Sequence, residues 1–394
     1  MFDIIDSEKC LSKGILPYEL RKGEFDVFQP YFRAKRKLSI DEKEESLTTN
    51  KKRRKKNKNK HEEYVSSNVT DVETKKRHET LRSQLMACLE QLPLHWPAHW
   101  KNRIDTSTSL YNTLETETID FPSIQQMVEA AQQKFTDKDE DQTKMKEFEF
   151  TSNVTKELDI FSIFNIICIN RSTNVKLLEM TPTSSYLIPP NSSFLMGSMN
   201  NSLHQLTAYI DKLGGADIIV MDPPWPNKSV QRSSTYATQD IYDLFSIPIP
   251  KMMLSKDCIV AVWVTNKPKF RNFIIHKLFP AWQLECISEW IWLKTTTQDS
   301  THKKPYEQLI IGRPIQYKDS QQRISIPKTH TIVSIPSVRH SRKPPLQGKN
   351  EDKVNPVCVE LFARCLYPGW INWGNECLKF QHLNYFVNTE KGTK

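Results

Sequence analysis

Apolar positions along the chain fall into distinct textures. Up to about Thr74 they are scattered among charges, apart from aromatics around Phe25 to Phe32, so residues 1–74 are expected to be mostly disordered. From Lys75 to Leu92, the residues Leu81, Leu85, Cys88, Leu89 and Leu92 recur at helical spacing, with Pro93 and Pro97 placed to stop the helix. Ser123 is placed to cap a second helix running to Phe135, with Ile124, Met127, Val128 and Ala131 on one face. An acidic, lysine-mixed linker, Thr136 to Lys146, leads to β-prone runs at Phe161 to Asn170 and Val175 to Leu178. The pattern predicts a small, mainly helical domain with short strands over residues 75–185.

Beyond Ser185 the texture changes. Strand-like runs at Ala216 to Met221, Cys258 to Val264, Glu285 to Leu293, Gln308 to Gly312, Thr331 to Ile335 and Val357 to Phe362 are separated by turns. Pro268 to Phe279 reads as a helix, with proline in its first turn and Phe270, Phe273, Ile274 and Leu278 turned inward. Trp263, Trp290 and Trp292 read as core, and His276 as packing. Near-continuous apolar strands suit a sheet covered on both faces, so residues 186–394 are expected to form an α/β domain with a doubly wound sheet.

Composition adds two constraints. The chain has 394 residues and a net charge of +9, which favours a polyanionic partner. Much of that charge sits in Lys51 to Lys60, where eight of ten residues are basic, a pattern of a solvated run, a nuclear-import signal or a nucleic-acid arm. No apolar stretch reaches the ~18 residues of a membrane span, and no membrane association is expected. The eight cysteines contain no C-x-x-C pair and the ten histidines no metal-binding spacing, so neither a disulfide framework nor a metal site is indicated.

The sequence "IIVMDPPWPNKS" (218–229) runs a buried-looking strand into a stiff corner. In an open α/β sheet ligands bind beyond the carboxyl ends of strands, and Asp222 stands at that point. Pro223 and Pro224 fix two φ angles and donate no amide hydrogen, leaving carbonyl acceptors on a rigid frame. Trp225 adds a flat face. Together they suit a planar base with an exocyclic amine: Asp222 and the Pro223 carbonyl accept its two hydrogens while Trp225 stacks on the ring. Hydrogen bonds of that kind draw the nitrogen lone pair out of conjugation and make it nucleophilic. The plain structural alternative is a tight turn with a core tryptophan.

With this corner the chain resembles the MT-A70 family of adenine N6-methyltransferases over roughly residues 187–386, through seven blocks in order: "IPPNSSFL", "DPPWPNKSV", "WVTNKPK", "HKKPYE", "HSRKPPL", "ELFAR" and "PGWINWGNECLKFQH". The resemblance implies a Rossmann-like class I methyltransferase domain with a mixed, mostly parallel sheet, S-adenosyl-L-methionine as cofactor, and catalysis by Asp222, Pro223, Pro224 and Trp225. It places Glu360, Arg364, Asn375 and Glu376 at the cofactor's ribose, Ser341 and Lys343 at its carboxylate, and Ser198 and Met199 at its adenine, beside Asp222 and Pro223. Charge and hydrogen-bonding capacity agree with these roles, although Glu360 and Arg364 alone would read as an ordinary surface ion pair. Two positions depart from the family: Ser198 replaces an acid, and Arg342 stands where a histidine is usual. The charged stretch Gln347 to Val354 reads as a loop.

Two basic, aromatic-bearing segments flank the corner: Asn227 to Asp240, with Asn227, Lys228, Arg232 and Tyr236, and Thr301 to Gln308, with Lys303, Lys304 and Tyr306. Both are expected to be mobile loops on the substrate side, suiting a strand whose target base leaves its stack. The resemblance implies RNA as partner, most specifically an internal 2′-O-methyladenosine of U2 small nuclear RNA, with DNA adenine as the alternative, and with the basic run it implies a nuclear address. Relatives that work as heteromers leave open whether this chain works as a monomer. Two other classes compete: a non-catalytic nucleic-acid-binding partner of an active enzyme, and a basic adaptor that reads only protein partners.

Overall fold

The computed structural model describes residues 2–22, 24–25, 69–95, 97, 145–156, 158–181, 184–226, 240–253, 258–295, 301–315, 326–337, 342–346 and 356–390. The chain opens with β1 (Phe2–Ile4), α1 (Ser7–Ser12) and β2 (Tyr18–Leu20), followed by the long helix α2 (Val69–His95). Five short strands come next: β3 (Glu147–Glu149), β4 (Val154–Lys156), β5 (Ile167–Asn170), β6 (Lys176–Thr181) and β7 (Ser184–Ile188). The main domain adds β8 (Ser192–Met196), α3 (Met199–Lys212), β9 (Ile218–Met221), β10 (Ile259–Val264) and a helix α4, which begins at Pro268–Phe273 and continues through Ile274–Leu278 into Phe279–Ala281. It closes with β11 (Leu284–Thr295), β12 (Thr301–Pro314), β13 (Thr329–Ser334), β14 (Cys358–Leu361), β15 (Trp370–Gly374) and β16 (Phe386–Asn388).

Eleven strands form one sheet in the order β1-β13-β11-β12-β10-β9-β14-β15-β8-β5-β3. Neighbours are parallel except at β11–β12, β12–β10 and β5–β8. This is the α/β sheet that the apolar runs predict, mixed and mostly parallel as the family resemblance implies. Strand β9 leads by its crossover to β10 on one side, while β14, its other neighbour, leads to β15 on the opposite side. The chain thus leaves the adjacent carboxyl ends of β9 and β14 in opposite directions, and that divergence opens a crevice.

Alternate residues of the central strands serve two cores. Ile219, Met221, Val260, Val262, Val359 and Leu361 pack with α3 and α4 on one face. Val220, Ile259, Ala261, Trp263 and Cys358 face the other core, which takes in residues of α1 and α2. Each such fully buried aliphatic chain contributes roughly 1.5–3 kcal/mol.

The N-terminal segment departs from expectation. Residues 2–22, expected to lack fixed structure, are built into the fold: β1 extends the main sheet by pairing in parallel with β13, and β2 forms a separate two-stranded sheet with β16. Ile5, Leu11, Ile15, Leu20 and Phe25 are core residues, too widely spaced to read as one periodic element. The helix expected over Lys75 to Leu92 is present, but it begins at Val69 and passes Pro93 to end at His95, whose ring meets Phe2 at 5.7 Å. Leu81, Leu85, Cys88 and Leu92 pack into the core of the main sheet, and Arg77 pairs with Glu289 of β11. The main sheet also takes in β3 and β5. The basic run Lys51 to Lys60, the helix expected over Ser123 to Phe135 and the loop Gln347 to Val354 lie outside the described residues.

Candidate active site

The expected site residues lie at four neighbouring carboxyl ends, and those at β9 and β14 line the pocket, whereas Ser198, Met199, Asn375 and Glu376 are not among its lining residues. Asp222 follows β9, Glu360 lies in β14 with Arg364 just beyond it, Asn375 and Glu376 follow β15, and Ser198 with Met199 follows β8 at the start of α3. In the register, Glu360 is paired with Val220 and with Asn372. Phe362 takes a left-handed backbone, φ 61°, as the chain turns out of β14. A residue with a side chain seldom adopts that conformation. Here the turn brings Phe362 and Arg364 to the pocket wall with Val220, Asp222, Trp263 and Lys343.

Charges alternate across the floor. Lys294 pairs with Glu307, and Glu307 Oε2 lies 2.7 Å from Lys343 Nζ. Lys343 Nζ is 3.3 Å from Asp222 Oδ2, which is 4.0 Å from Arg364 Nη1. Arg364 Nε is 3.3 Å from Glu376 Oε2, and Lys379 Nζ is 2.9 Å from Glu376 Oε1. Each acid thus meets a cation on two sides, which lets three carboxylates stand close together.

Burial separates their acidities. It pushes Asp222 above the usual carboxylate range, opposed by Lys343 and Arg364 and reinforced by Glu307. Glu360 is raised to about 8, by burial first and the Asp222 charge second, which favours its protonated form. Its Oε2 is buried without a hydrogen-bond partner. For Glu307 burial also acts upward, but Lys343 and Lys294 outweigh it and hold the group down at about 2.

The corner itself differs from the sequence expectation in two ways. Trp225 does not present an open face: only 8% exposed, it donates from Nε1 to Trp263 O at 2.8 Å and packs against Phe270 with ring centroids 5.0 Å apart. An indole that follows a buried strand gains more from core packing than from solvent, and here it anchors the corner. The Pro223 carbonyl accepts from Trp225 N at 2.8 Å, closing a tight turn. A carbonyl has two lone pairs, so one remains for a ligand. Pro224 is exposed at the apex.

Of the remaining expected residues, Glu376 is held by Arg364 and Lys379, and Asn375 is half-buried beside it. Ser198 is the N-cap position of α3, with no side-chain cap bond. The segment Thr301 to Gln308 is no loop: it is the first half of β12, hairpin partner of β11. Tyr306 packs there against the core, and Lys303 and Lys304 are placed on the same strand. Ser341, Asn227, Lys228, Arg232 and Tyr236 lie outside the described residues. His276 is exposed rather than packed, Trp290 is half-buried, and Trp263 and Trp292 are core as expected.

Three residues were missed, and a fourth, Arg342, was noted only as a departure from the family. Glu307 and Lys294 form the floor under Lys343, and their signal was a single acid inside the apolar run "YEQLIIG" and a lysine ending "WIWLK". Asn165, with φ 61° and 2% exposed, packs its Oδ1 against Gly197, where a Cβ would meet it at 2.7 Å; that oxygen has no hydrogen-bond partner. It lies beside Ser198, where the family places an acid. Arg342 is buried, with its guanidinium 4.8 Å from the Phe380 ring and 5.5 Å from that of Phe25.

A mixed doubly wound sheet with a charged pocket and an Asp-Pro-Pro-Trp corner at its switch point defines a Rossmann-like domain of the class I methyltransferase kind. The MT-A70 family profile matches residues 216–376, so this stretch of the chain carries an MT-A70 domain. It is similar to the N(6)-adenine-specific methyltransferase METTL4 of Mus musculus, 42% identical over 251 residues covering 60% of this chain and 51% of the relative. It is also similar to the N6-methyladenosine RNA methyltransferase MTA1 of Pyricularia oryzae, 36% identical over 52% of this chain and 57% of the relative. The DNA N6-methyl methyltransferase of Caenorhabditis elegans is 31% identical over 54% of this chain and 58% of its own length. The chain spans about half the length of the METTL4 proteins it matches.

Proposed function

We propose that the chain is an S-adenosyl-L-methionine-dependent methyltransferase acting on the N6 amine of adenine in nucleic acid. The observation that carries this reading is the position of Asp222: a carboxylate at the switch point, clamped between Lys343 and Arg364, on a proline-stiffened corner. The pocket fits the cofactor. The orphaned Glu360 Oε2 suits a ribose hydroxyl, Lys343 and Arg364 offer charge to a carboxylate, and Val220, Trp263 and Phe362 give an apolar wall. When bound, S-adenosyl-L-methionine supplies an electrophilic methyl group on a sulfonium.

The chain's own residues then have defined tasks. Asp222 Oδ accepts one hydrogen of the adenine amine and the free lone pair of the Pro223 carbonyl accepts the other, localising the nitrogen lone pair for attack. Lys343 and Arg364 favour the ionised form of Asp222 against the burial that raises its pKa, and Glu307, held down at about 2, keeps Lys343 in place. The proton released from the amine passes to Asp222, whose raised position makes it a better acceptor than an exposed carboxylate. Trp225 holds the frame from below through Trp263.

Within this reading RNA is the proposed substrate, as an internal 2′-O-methyladenosine of U2 small nuclear RNA giving N6,2′-O-dimethyladenosine. The order and content of the seven blocks support it, and the Lys51 to Lys60 run supports a nuclear address. DNA adenine is the second reading, favoured by the similarity to a relative whose name states DNA. The test is incubation of purified protein and methyl-labelled cofactor with total RNA and with DNA, followed by mass spectrometry of nucleosides. Label in N6,2′-O-dimethyladenosine supports the first, label in N6-methyldeoxyadenosine the second, and label in neither overturns both.

A further inference from the structure

Two large rings stand in solvent near the corner. A short 3₁₀ helix, Ile241–Ser246, is started by Asp240, whose side chain accepts from Tyr242 N at 3.1 Å, and is pinned inward by buried Leu244. In a 3₁₀ helix residues i and i+3 eclipse, so Tyr242 and Phe245 are held one beside the other, centroids 6.2 Å apart and planes 21° apart. They are 53% and 39% exposed. Both meet Phe273 of α4 edge-on, at 5.6 and 5.5 Å. Rings fixed in this way have little rotamer freedom left to lose when a flat partner docks.

The rim of this pair is basic. Lys277 Nζ lies 6.0 Å from the Tyr242 centroid, and Lys269 and His276 are exposed along the same helix. The turn Ile274–Leu278 is π-helical, and His276 on it is exposed, opposite buried Ile274 and Leu278. Asp240 caps the short helix and Asp243 is exposed on it; they are the acids of the patch. A line of aromatic contacts ties the pair to the corner: Trp225 touches Phe270, Phe270 and Phe273 are one turn apart on α4, and Phe273 supports Tyr242 and Phe245. Lys267, at the head of α4, reaches Pro226 O at 3.1 Å and closes the gap between the two.

Exposed paired rings with a lysine border match a strand that carries flat bases on an anionic backbone. An apolar protein surface would leave the lysines unanswered. We propose that Tyr242 and Phe245 form a stacking platform for unpaired bases flanking the target adenine, with Lys269 and Lys277 meeting the backbone phosphates. The proposal rests on the reading of the chain as a nucleic-acid methyltransferase and adds the path that the strand takes away from the corner. A base unstacked for reaction leaves its neighbours without a partner, and the platform supplies one.

The test is fluorescence anisotropy with a labelled single-stranded RNA of about 15 nucleotides containing one adenine, using the whole chain. Replacing both rings, Tyr242→Ala with Phe245→Ala, should weaken binding about tenfold or more, with the cofactor dissociation constant and the circular dichroism melt unchanged. Tyr242→Trp should restore most of the affinity lost in Tyr242→Ala. Lys269→Gln and Lys277→Gln should each flatten the log–log salt dependence by about one unit. Wild-type affinity in the double variant overturns the platform, even if methyl transfer to adenine is intact. Ring-dependent binding by a protein that methylates no nucleic acid would spare the platform and contradict the catalytic reading instead. Rings that hold two copies of the chain together, seen as a dimer that the double variant dissociates without change in RNA affinity, would also overturn it.

Discussion

Glu24 Oε2 stands 3.7 Å from Arg342 Nη1, and both side chains are almost wholly buried. Arg342 immediately precedes Lys343, the cation between Asp222 and Glu307. The N-terminal segment therefore holds the piece of chain that delivers Lys343, with the rings of Phe25 and Phe380 beside the guanidinium.

Glu24→Gln should destabilise the protein by about 3 kcal/mol, because it leaves the Arg342 charge buried without its counter-ion. It should also weaken cofactor binding, since Lys343 loses its fixed position. Urea unfolding and isothermal titration with S-adenosyl-L-methionine check the two effects. Unchanged stability and affinity would show that the pair is a bystander.

Glu360 gives a pH signature. Its pKa in the fold, about 8, lies above the ordinary 4.5. A carboxyl raised in this way stabilises the fold fully below its unfolded value, and that contribution is lost as pH rises through the folded one. Glu360→Gln should therefore melt higher than wild type at pH 9 and differ little at pH 4.5, with the gap opening between those values. Thermal melts across that range measure it.

Trp225 tests whether the corner is anchored or aromatic by function. Trp225→Phe keeps a ring but removes the donor to the buried Trp263 carbonyl, leaving that acceptor without the indole. A loss of about 1–2 kcal/mol in stability is expected, with methyl transfer falling because Asp222 is less firmly held. A variant of unchanged stability that loses only affinity for nucleic acid would restore the stacking role.

How much of this was legible in the sequence varies with distance along the chain. Continuous apolar runs such as Ile259 to Val264 announced their own strands, since a strand covered on both faces needs no partner to be recognised. Asp222 could be placed because it ends such a run. The pair β8 and β15 was harder: "SSFLM" begins with polar residues and "WINWG" is cut short by glycine, so neither holds a long period. Helix α3 carries Leu203, Leu206, Tyr209 and Ile210 at helical spacing but was passed over beside the polar "MGSMNNS". The order of residues 2–25 was illegible for a different reason, because its stability comes from β13, β16 and Arg342, all more than three hundred residues away. Glu307 was hidden in the same way, its partner Lys343 lying on another segment.

The most direct measurement is single-turnover methyl transfer to an adenine-containing oligonucleotide by wild type and by Asp222→Asn, each saturated with cofactor. Asparagine keeps the shape and one acceptor but not the charge that takes up the proton. The account predicts a rate lower by about a hundredfold or more, equivalent to ~3 kcal/mol of lost barrier stabilisation, with cofactor affinity changed much less. Transfer to N6 at close to the wild-type rate would contradict it.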